Sequence, residues 1–186
     1  MSNSSDSPSS LPPAVEQVSK DLRLGGWICF WVQLVLGIVS SIIFLFAVGL
    51  LGQKSGTGTG GGLFFAVCGL VVLGFSAFLS FRYTRLARQL RSHTPSLRPS
   101  RGDTTQQVKR TLITNLVGIT LALLGAEAIG GILLGKSLVS GSFMFNPTEL
   151  EKFTLDIFIV LGNTHIIVAH FIGIVVGLFL LDRLYK

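Results

Sequence analysis

Three ionisable side chains lie inside long apolar stretches of this 186-residue sequence, where a buried charge is expensive. Glu127 lies in the run 111–135, and His165 and His170 lie in the run 163–181. Acids and histidines in such segments are candidates for proton or ion handling, and a histidine can also be the axial ligand of a tetrapyrrole. We therefore start from these side chains when asking what the chain does.

The positions of Glu127 and His170 predict that these two side chains meet. Counted from the outer ends of their segments at the rise of an α-helix, Glu127 lies about 12 Å deep and His170 about 10.5 Å deep. An isolated carboxylate at that depth costs several kcal/mol or takes up a proton, so a partner is expected. Three interpretations are open: a hydrogen bond that fixes helix register, proton or ion handling, and ligation of chlorophyll or haem by His165 or His170.

The same residues do not predict a metal centre. His165 and His170 are about 140° apart around a helix, and no spacing typical of zinc ligands is present. The segment 130–137, GGILLGKS, matches the pattern GxxxxGK[ST], but a P-loop follows a β-strand and this segment ends an apolar helix. We predict no metal, no resident cofactor and no catalytic residue, and hence no enzymatic activity.

Four apolar segments position the candidate residues. The composition is 49% hydrophobic and 13% charged with a mean hydropathy of +0.66, whereas ordinary soluble domains are about 25% charged. Helices are long enough to cross about 30 Å of hydrocarbon, and none of the segments alternates like a barrel strand. The sequence predicts an all-α integral membrane domain over residues 27–186 with four transmembrane helices, at 27–51, 63–81, 111–135 and 163–181.

Two amphipathic segments flank these spans. Residues 1–26 begin with a serine-rich, disordered piece and continue as a short amphipathic helix. Residues 147–161 open with Pro147 behind a capping Asn146 and place charged residues opposite apolar ones, which predicts an amphipathic helix on the outer surface. If the fourth span instead begins near Ile157, the depth of His170 no longer matches that of Glu127.

The distribution of cations predicts the orientation. Most of the 15 Lys and Arg residues precede the first span, follow the fourth, or lie in the loop between the second and third. By the positive-inside rule, both termini and this basic loop are cytoplasmic or stromal. Four arginines that begin the loop are predicted to contact lipid headgroups, and no nucleic-acid recognition motif accompanies them: Arg82, Arg85, Arg88 and Arg91.

Small residues at every fourth position predict close packing of the third and fourth spans. Such spacing lets two helix backbones approach where no hydrophobic effect drives them together. The predicted packing residues are Ala122, Ala126, Gly130, Gly131 and Gly135 in the third span and Gly173 and Gly177 in the fourth.

Two stretches of the sequence resemble a family of small four-span membrane proteins of cyanobacteria and plastids whose function is unknown. They are LGGWICFWVQLVLGIVSSIIFLFA near the start and NTHIIVAHFIGIVVGLFLLDR near the end. The resemblance implies a photosynthetic setting, in the thylakoid or plasma membrane of a cyanobacterium, and transfers no catalytic residue.

The sequence as a whole favours a multi-pass membrane protein that is a non-catalytic accessory or assembly component of a photosynthetic membrane complex. Its expected partners are the lipid bilayer and a larger complex or further copies of the chain. The alternative is a small proton or ion transporter that uses Glu127 and His170. A third possibility is a protein that binds a tetrapyrrole or carotenoid pigment.

Overall fold

The computed structural model describes residues 13–51, 60–92, 98–139 and 147–185, and its four elements are all helices. They are α1 (Pro13–Leu51), α2 (Gly60–Leu90), α3 (Arg101–Val139) and α4 (Pro147–Tyr185). Each is long and apolar enough to cross a membrane, which confirms the predicted all-α integral membrane fold with four spans. The serine-rich start, residues 1–12, lies outside the described residues.

The helices are longer than the predicted spans. Three of them have 39 residues, which is about 58 Å at helical rise and nearly twice the thickness of the hydrocarbon. The amphipathic helix predicted at 147–161 is therefore the first part of α4 and not a separate element, because no Pro or Gly interrupts the chain before Gly162. The amphipathic segment before the first span is likewise continuous with α1.

The basic loop is also mostly helical. Residues 82–90 belong to α2 and residues 101–110 to α3, so that only a short connection remains between them. Ser100 caps α3: its Oγ accepts from the Asp103 backbone N–H at 3.0 Å, and its own backbone N–H donates to the Asp103 carboxylate at 3.4 Å. This reciprocal pair is a capping box, which fixes where α3 begins.

The four helices pack as an antiparallel ring in chain order. Each helix has extensive contacts with the next helix in the chain, and α4 has extensive contacts with α1, which closes the ring. Across the ring, α2 also contacts α4. Ser19 near the start of α1 donates to the carbonyl of Ala87 near the end of α2, and Ser40 donates to the carbonyl of Gly162 in α4. We call the end of the bundle that contains residues 13–26, 82–92, 98–110 and 182–185 the basic end, and the opposite end the outer end.

Buried positions recur every seven residues. In α1 the sequence at this spacing is Ser19, Gly26, Gln33, Ser40 and Ala47, all buried. A repeat of 3.5 residues per turn is typical of left-handed packing with a crossing angle near 20°. Many large apolar side chains instead point outward, as Trp31 at 50% and Leu45 at 73% exposure illustrate. Such an apolar surface is expected of a bundle surrounded by lipid.

Candidate functional site in the membrane core

Buried polar side chains form a cluster in the middle of the bundle, and every helix contributes to it. We call this cluster the polar core. Each of its members is no more than 1% exposed, so each needs a hydrogen-bond partner within the protein. The members are Gln33 from α1, Ser76 and Ser80 from α2, Asn115 from α3 and His170 from α4.

Asn115 is the centre of the polar core. Its Oδ1 accepts from Gln33 Nε2 at 2.9 Å and from Ser76 Oγ at 2.9 Å, and it lies 3.0 Å from Nδ1 of His170. Its Nδ2 donates to the carbonyl of Thr111 one turn earlier, which fixes which way the amide points. One oxygen atom of α3 therefore joins side chains of the other three helices.

Gln33 extends the network toward the basic end. Its Nε2 also donates to Ser76 Oγ at 3.1 Å, and its Oε1 accepts from Ser80 Oγ at 3.4 Å. A cleft of about 440 Å³ between α1 and α2 has Gln33 in its otherwise mainly apolar lining. The polar core thus borders a space between two helices.

Both ring nitrogens of His170 lie beside oxygen acceptors. Nδ1 is 3.0 Å from Asn115 Oδ1, and Nε2 is 3.3 Å from the backbone carbonyl of Gly69 in α2. A neutral imidazole carries a single N–H and can donate to only one of these oxygens, whereas an imidazolium can donate to both.

Two glycines make room for the polar core. A Cβ at Gly118 of α3 would overlap the imidazole ring of His170, and a Cβ at Gly173 of α4 would lie 2.6 Å from Asn115 Oδ1. Real Cβ atoms do not approach other atoms so closely, so a larger residue at either position would displace the ring or the amide. The glycines are therefore as necessary to the site as the polar side chains.

Further polar residues follow the same face of α4. Asp156, Asn163 and His170 are spaced by seven residues and are each no more than 1% exposed. Asn163 Nδ2 donates to the carbonyl of Ala122 in α3 at 2.7 Å, while its Oδ1 has no hydrogen-bond partner among the described residues. Buried polar residues therefore line one face of α4 from its outer part to its middle.

The structure does not bring Glu127 and His170 together. Glu127 is exposed on the surface of α3, and it lies nine residues beyond Gly118, which contacts His170, so about 13 Å separates the two levels. The lipid-facing surface of α4 includes Ile157 and Phe158, both about half exposed. The apolar surface of α4 thus begins before Asn163, and the contact of His170 with Gly118 places this histidine nearer the basic end than Glu127.

His165, the other predicted pigment ligand, is half-buried on α4. Its Nδ1 is shielded from solvent and has no hydrogen-bond partner within the part of the chain that the structure describes. Across that same part, no group of three or more His, Cys, Asp or Glu side chains is arranged to hold a metal ion.

The predicted packing residues divide into two groups. Gly173 and Gly177 face Asn115 and Leu112 of α3, and Ala122 is fully buried. Ala122 packs on Gly69 of α2, however, so α3 turns this face toward α2 as well as α4. The other glycines lie in open space on the outside of α3: Gly130, Gly131 and Gly135. Ala126, between these groups, is half-buried.

The four arginines that were predicted to contact lipid headgroups lie in different surroundings. Arg82 and Arg85 line a polar pocket between α2 and α3 together with Arg110. Arg91 lies 4.0 Å from the carboxylate of Glu16 in α1, and Arg88 is exposed near the end of α2. The arginines therefore do not form a single stripe on the membrane surface.

Sequence reasoning missed most of the polar core. His170 was identified because a histidine is conspicuous in an apolar span, but Gln33, Ser76 and Asn115 were not. A usable signal was present, since Gln33 lies at the same seven-residue spacing as Ser19 and Ser40. Polar residues repeating at that interval in an apolar helix indicate the face that points inward.

The fold and the polar core define a multi-pass integral membrane protein, a four-helix bundle with a hydrogen-bonded interior. The chain belongs to the family described as "Protein of unknown function (DUF3611)", whose model matches residues 12–185. This confirms the resemblance to small four-span proteins that the sequence showed.

A curated relative is similar over most of this chain. "Protein TIC 21, chloroplastic" of Arabidopsis thaliana is 31% identical over 174 residues, which is 90% of this chain and 57% of the relative. The chain thus spans somewhat more than half the length of that relative. No solved structure matches.

Proposed function

We propose that the chain is a non-catalytic accessory or assembly subunit of a larger protein complex in a membrane of plastid or cyanobacterial type. The observation that carries the proposal is the position of Glu127, which is exposed on the outside of α3 within its apolar span. A carboxyl group facing hydrocarbon is unfavourable unless another molecule contacts it. A neighbouring helix of a complex would supply that contact.

The surroundings of Glu127 support a helix as the neighbour. Gly130 and Gly131 follow it by three and four residues and therefore lie on the same side of α3, and a Cβ at either would meet open space. Small residues allow a second helix to approach the backbone closely. We define the outer α3 face as Glu127, Gly130, Gly131 and Gly135.

The chloroplast relative supports a membrane of photosynthetic origin, and a thylakoid complex is the finer form of the proposal. The start of α1, the end of α4 and the arginine-rich ends of α2 and α3 lie at the basic end, so the positive-inside rule predicts that this end is stromal or cytoplasmic. Protease treatment of sealed vesicles of known sidedness tests the orientation, since cleavage within 91–100 requires the basic end to be outside the vesicle.

Solubilising native membranes in a mild detergent tests the assembly proposal. The wild-type chain is expected to migrate with a larger assembly, and Gly131→Ile should reduce that fraction at least fivefold by filling the outer α3 face. Gly74→Ile is the matched control, because Gly74 is also exposed with open space around it but lies on α2. A monomeric wild type, or equal losses in both variants, would contradict the proposal.

A second candidate function is proton handling by His170. The observation that favours it is the pair of oxygen acceptors around the ring, together with the polar residues that precede it on α4. Purified protein in liposomes that enclose a pH-sensitive dye should then pass protons, and His170→Gln should abolish the flux. Glu127→Gln should leave it unchanged, because Glu127 lies away from the polar core.

A pigment-binding function rests on His165, whose Nδ1 is shielded and lacks a hydrogen-bond partner among the described residues. Chlorophyll, haem or a carotenoid would give the purified protein a visible absorption band. His165→Phe should remove the band of an axially ligated tetrapyrrole, whereas a colourless native preparation would exclude this candidate.

A further inference from the structure

The polar pocket between α2 and α3 lies at the boundary between the membrane and the basic end. Its volume is about 450 Å³, and its lining includes Arg82 and Arg85 of α2 and Arg110 of α3. Arg82 directly follows Phe81, which is 48% exposed and belongs to the apolar surface of α2. Arg110 directly precedes the apolar span of α3. The pocket is thus at the depth where lipid headgroups lie.

The charge of this pocket is unbalanced. Asp103 is the single acidic residue in its lining, against three arginines. The Asp103 carboxylate is also engaged, because its Oδ2 accepts a hydrogen bond of 2.7 Å from Ser100 Oγ at the start of α3. A net positive site with arginine side chains from two helices suits an anion that can accept several hydrogen bonds.

Several other cations at the basic end already have partners. Lys20 pairs with Glu16, Arg183 lies 3.5 Å from Asp21, and Arg101 donates to the carbonyl of Leu184. Lys109 lies over the ring of Tyr185. By contrast, the structure gives no ion-pair partner to Arg82, Arg85 or Arg110 within the described part of the chain. These three guanidinium groups therefore remain available to a ligand.

A neutral donor adds to the site. Gln107 lines the pocket, and its Nε2 is shielded from solvent without a hydrogen-bond partner among the described residues. A buried N–H group of this kind is costly unless an acceptor reaches it. A ligand with several oxygen acceptors would satisfy Gln107 and the arginines together.

The surface below the pocket is apolar. Phe75 lies seven residues from Arg82 on α2, and Val117 lies seven residues from Arg110 on α3, so each is on the same side of its helix as the arginine. Phe75 is 55% and Val117 49% exposed. A molecule with its anionic end in the pocket would thus have hydrocarbon-compatible surface beneath it, which is the shape of a lipid and not of a free ion.

From these features we propose that Arg82, Arg85 and Arg110 form a specific binding site for the headgroup of an anionic membrane lipid, through its phosphate or sulfonate oxygens. The acyl chains lie along the exposed apolar surfaces of α2 and α3. This inference is independent of the assembly proposal, because the pocket lies at the boundary between α2 and α3 at the basic end and not on the outer α3 face.

Native mass spectrometry of the full-length protein in detergent tests the site with phosphatidylglycerol as the probe. One phosphatidylglycerol should stay bound under conditions that remove phosphatidylcholine. Arg85→Gln and Arg110→Gln, on different helices, should each weaken its binding at least fivefold. Arg23→Gln is the matched control, because Arg23 is exposed at the same end on α1 but lies outside the pocket, and it should change binding less than twofold.

The outcomes separate a lipid site from its alternatives. Equal weakening by all three substitutions would mean a diffuse electrostatic attraction and would overturn the proposal, as would equal retention of phosphatidylcholine. Displacement of the lipid by millimolar inorganic phosphate would assign the site to the free anion and would also overturn it.

A photoactivatable phosphatidylglycerol gives a test that needs no variant. Reaction from a group near its headgroup should label peptides containing residues 82–89 and 103–110, and labelling confined to other segments would refute the site. This measurement still decides the matter if an arginine variant fails to fold.

Discussion

The two halves of the bundle differ in their surfaces and in what their interiors add to an apolar core. In the membrane, the polar side chains Gln33, Asn115 and His170 lie beside a buried apolar cluster, and the surface is apolar. At the basic end the interior is an apolar cluster around Leu22 and Leu180, and the surface is charged. The same four helices continue through both halves, so the difference follows from the surrounding solvent and not from the architecture.

This contrast shows that each half is held together by a different force. At the basic end, water drives Leu22 and its neighbours into the interior by the hydrophobic effect. In the membrane that effect is absent between helices, so close packing and hydrogen bonds take its place. Substitutions placed in each half test these two forces separately.

The largest effect is expected from Gly118→Ala. The new Cβ would overlap the ring of His170, which is confined between Asn115 and Gly69, so we expect a loss of about 3 kcal/mol in the free energy of unfolding. Gly130→Ala is the control on the same helix, since its Cβ would meet open space, and it should be neutral or slightly stabilising. Unfolding in a titration with a denaturing detergent measures both, and equal stabilities would contradict the tight fit.

Leu22→Ala tests the apolar cluster at the basic end. Leu22 is fully buried, so the cavity should cost about 2 to 3 kcal/mol. Leu45→Ala, at a position 73% exposed to lipid on the same helix, should cost much less. Similar losses in the two variants would show that water does not drive packing at the basic end.

Asn115→Ala tests the hydrogen bonds of the polar core. We expect a loss of about 1 to 2 kcal/mol, because intramembrane hydrogen bonds are individually modest and three donors lose one acceptor. The double variant with Gln33→Ala should lose less than the sum of the two single variants, because the two side chains share a bond. Strict additivity would mean that the network is not coupled.

The smallest effect is expected from Arg183→Gln. Its ion pair with Asp21 joins α4 to α1 at a partly exposed position, so about 0.5 kcal/mol should be lost at low salt and nothing measurable at high salt. A loss that persists at high salt would point to packing of the arginine on the ring of Phe179 instead.

Much of the fold was accessible from the sequence because hydropathy alone defines the spans. The partner of His170 was not accessible. A shift of a few residues in the start of the fourth span moves this histidine by several ångströms, and hydropathy cannot fix that start when the amphipathic segment continues the same helix. The prediction therefore paired His170 with Glu127, whereas the structure pairs it with Asn115 and Gly69.

The roles of the glycines were only partly predictable for a related reason. Spacing identifies glycines that could allow close approach, but not the side of the helix that faces the neighbour. Gly118 was missed although it precedes Ala122 by four residues, and it contacts the polar core. Gly131 and Gly135 have the same spacing and lie on the outside, because the burial repeat of 3.5 residues selects a different face.

The hydrogen bond from Ser40 to Gly162 has a consequence for how the protein is made. Ser40 enters the membrane with the first helix to be synthesised, but its acceptor belongs to the last. Until the fourth helix arrives, this hydroxyl can only bond back to its own helix, whereas Gln33 gains Ser76 from the second helix and Asn115 from the third. The native bond of this hydroxyl therefore forms only after almost the whole chain has left the ribosome.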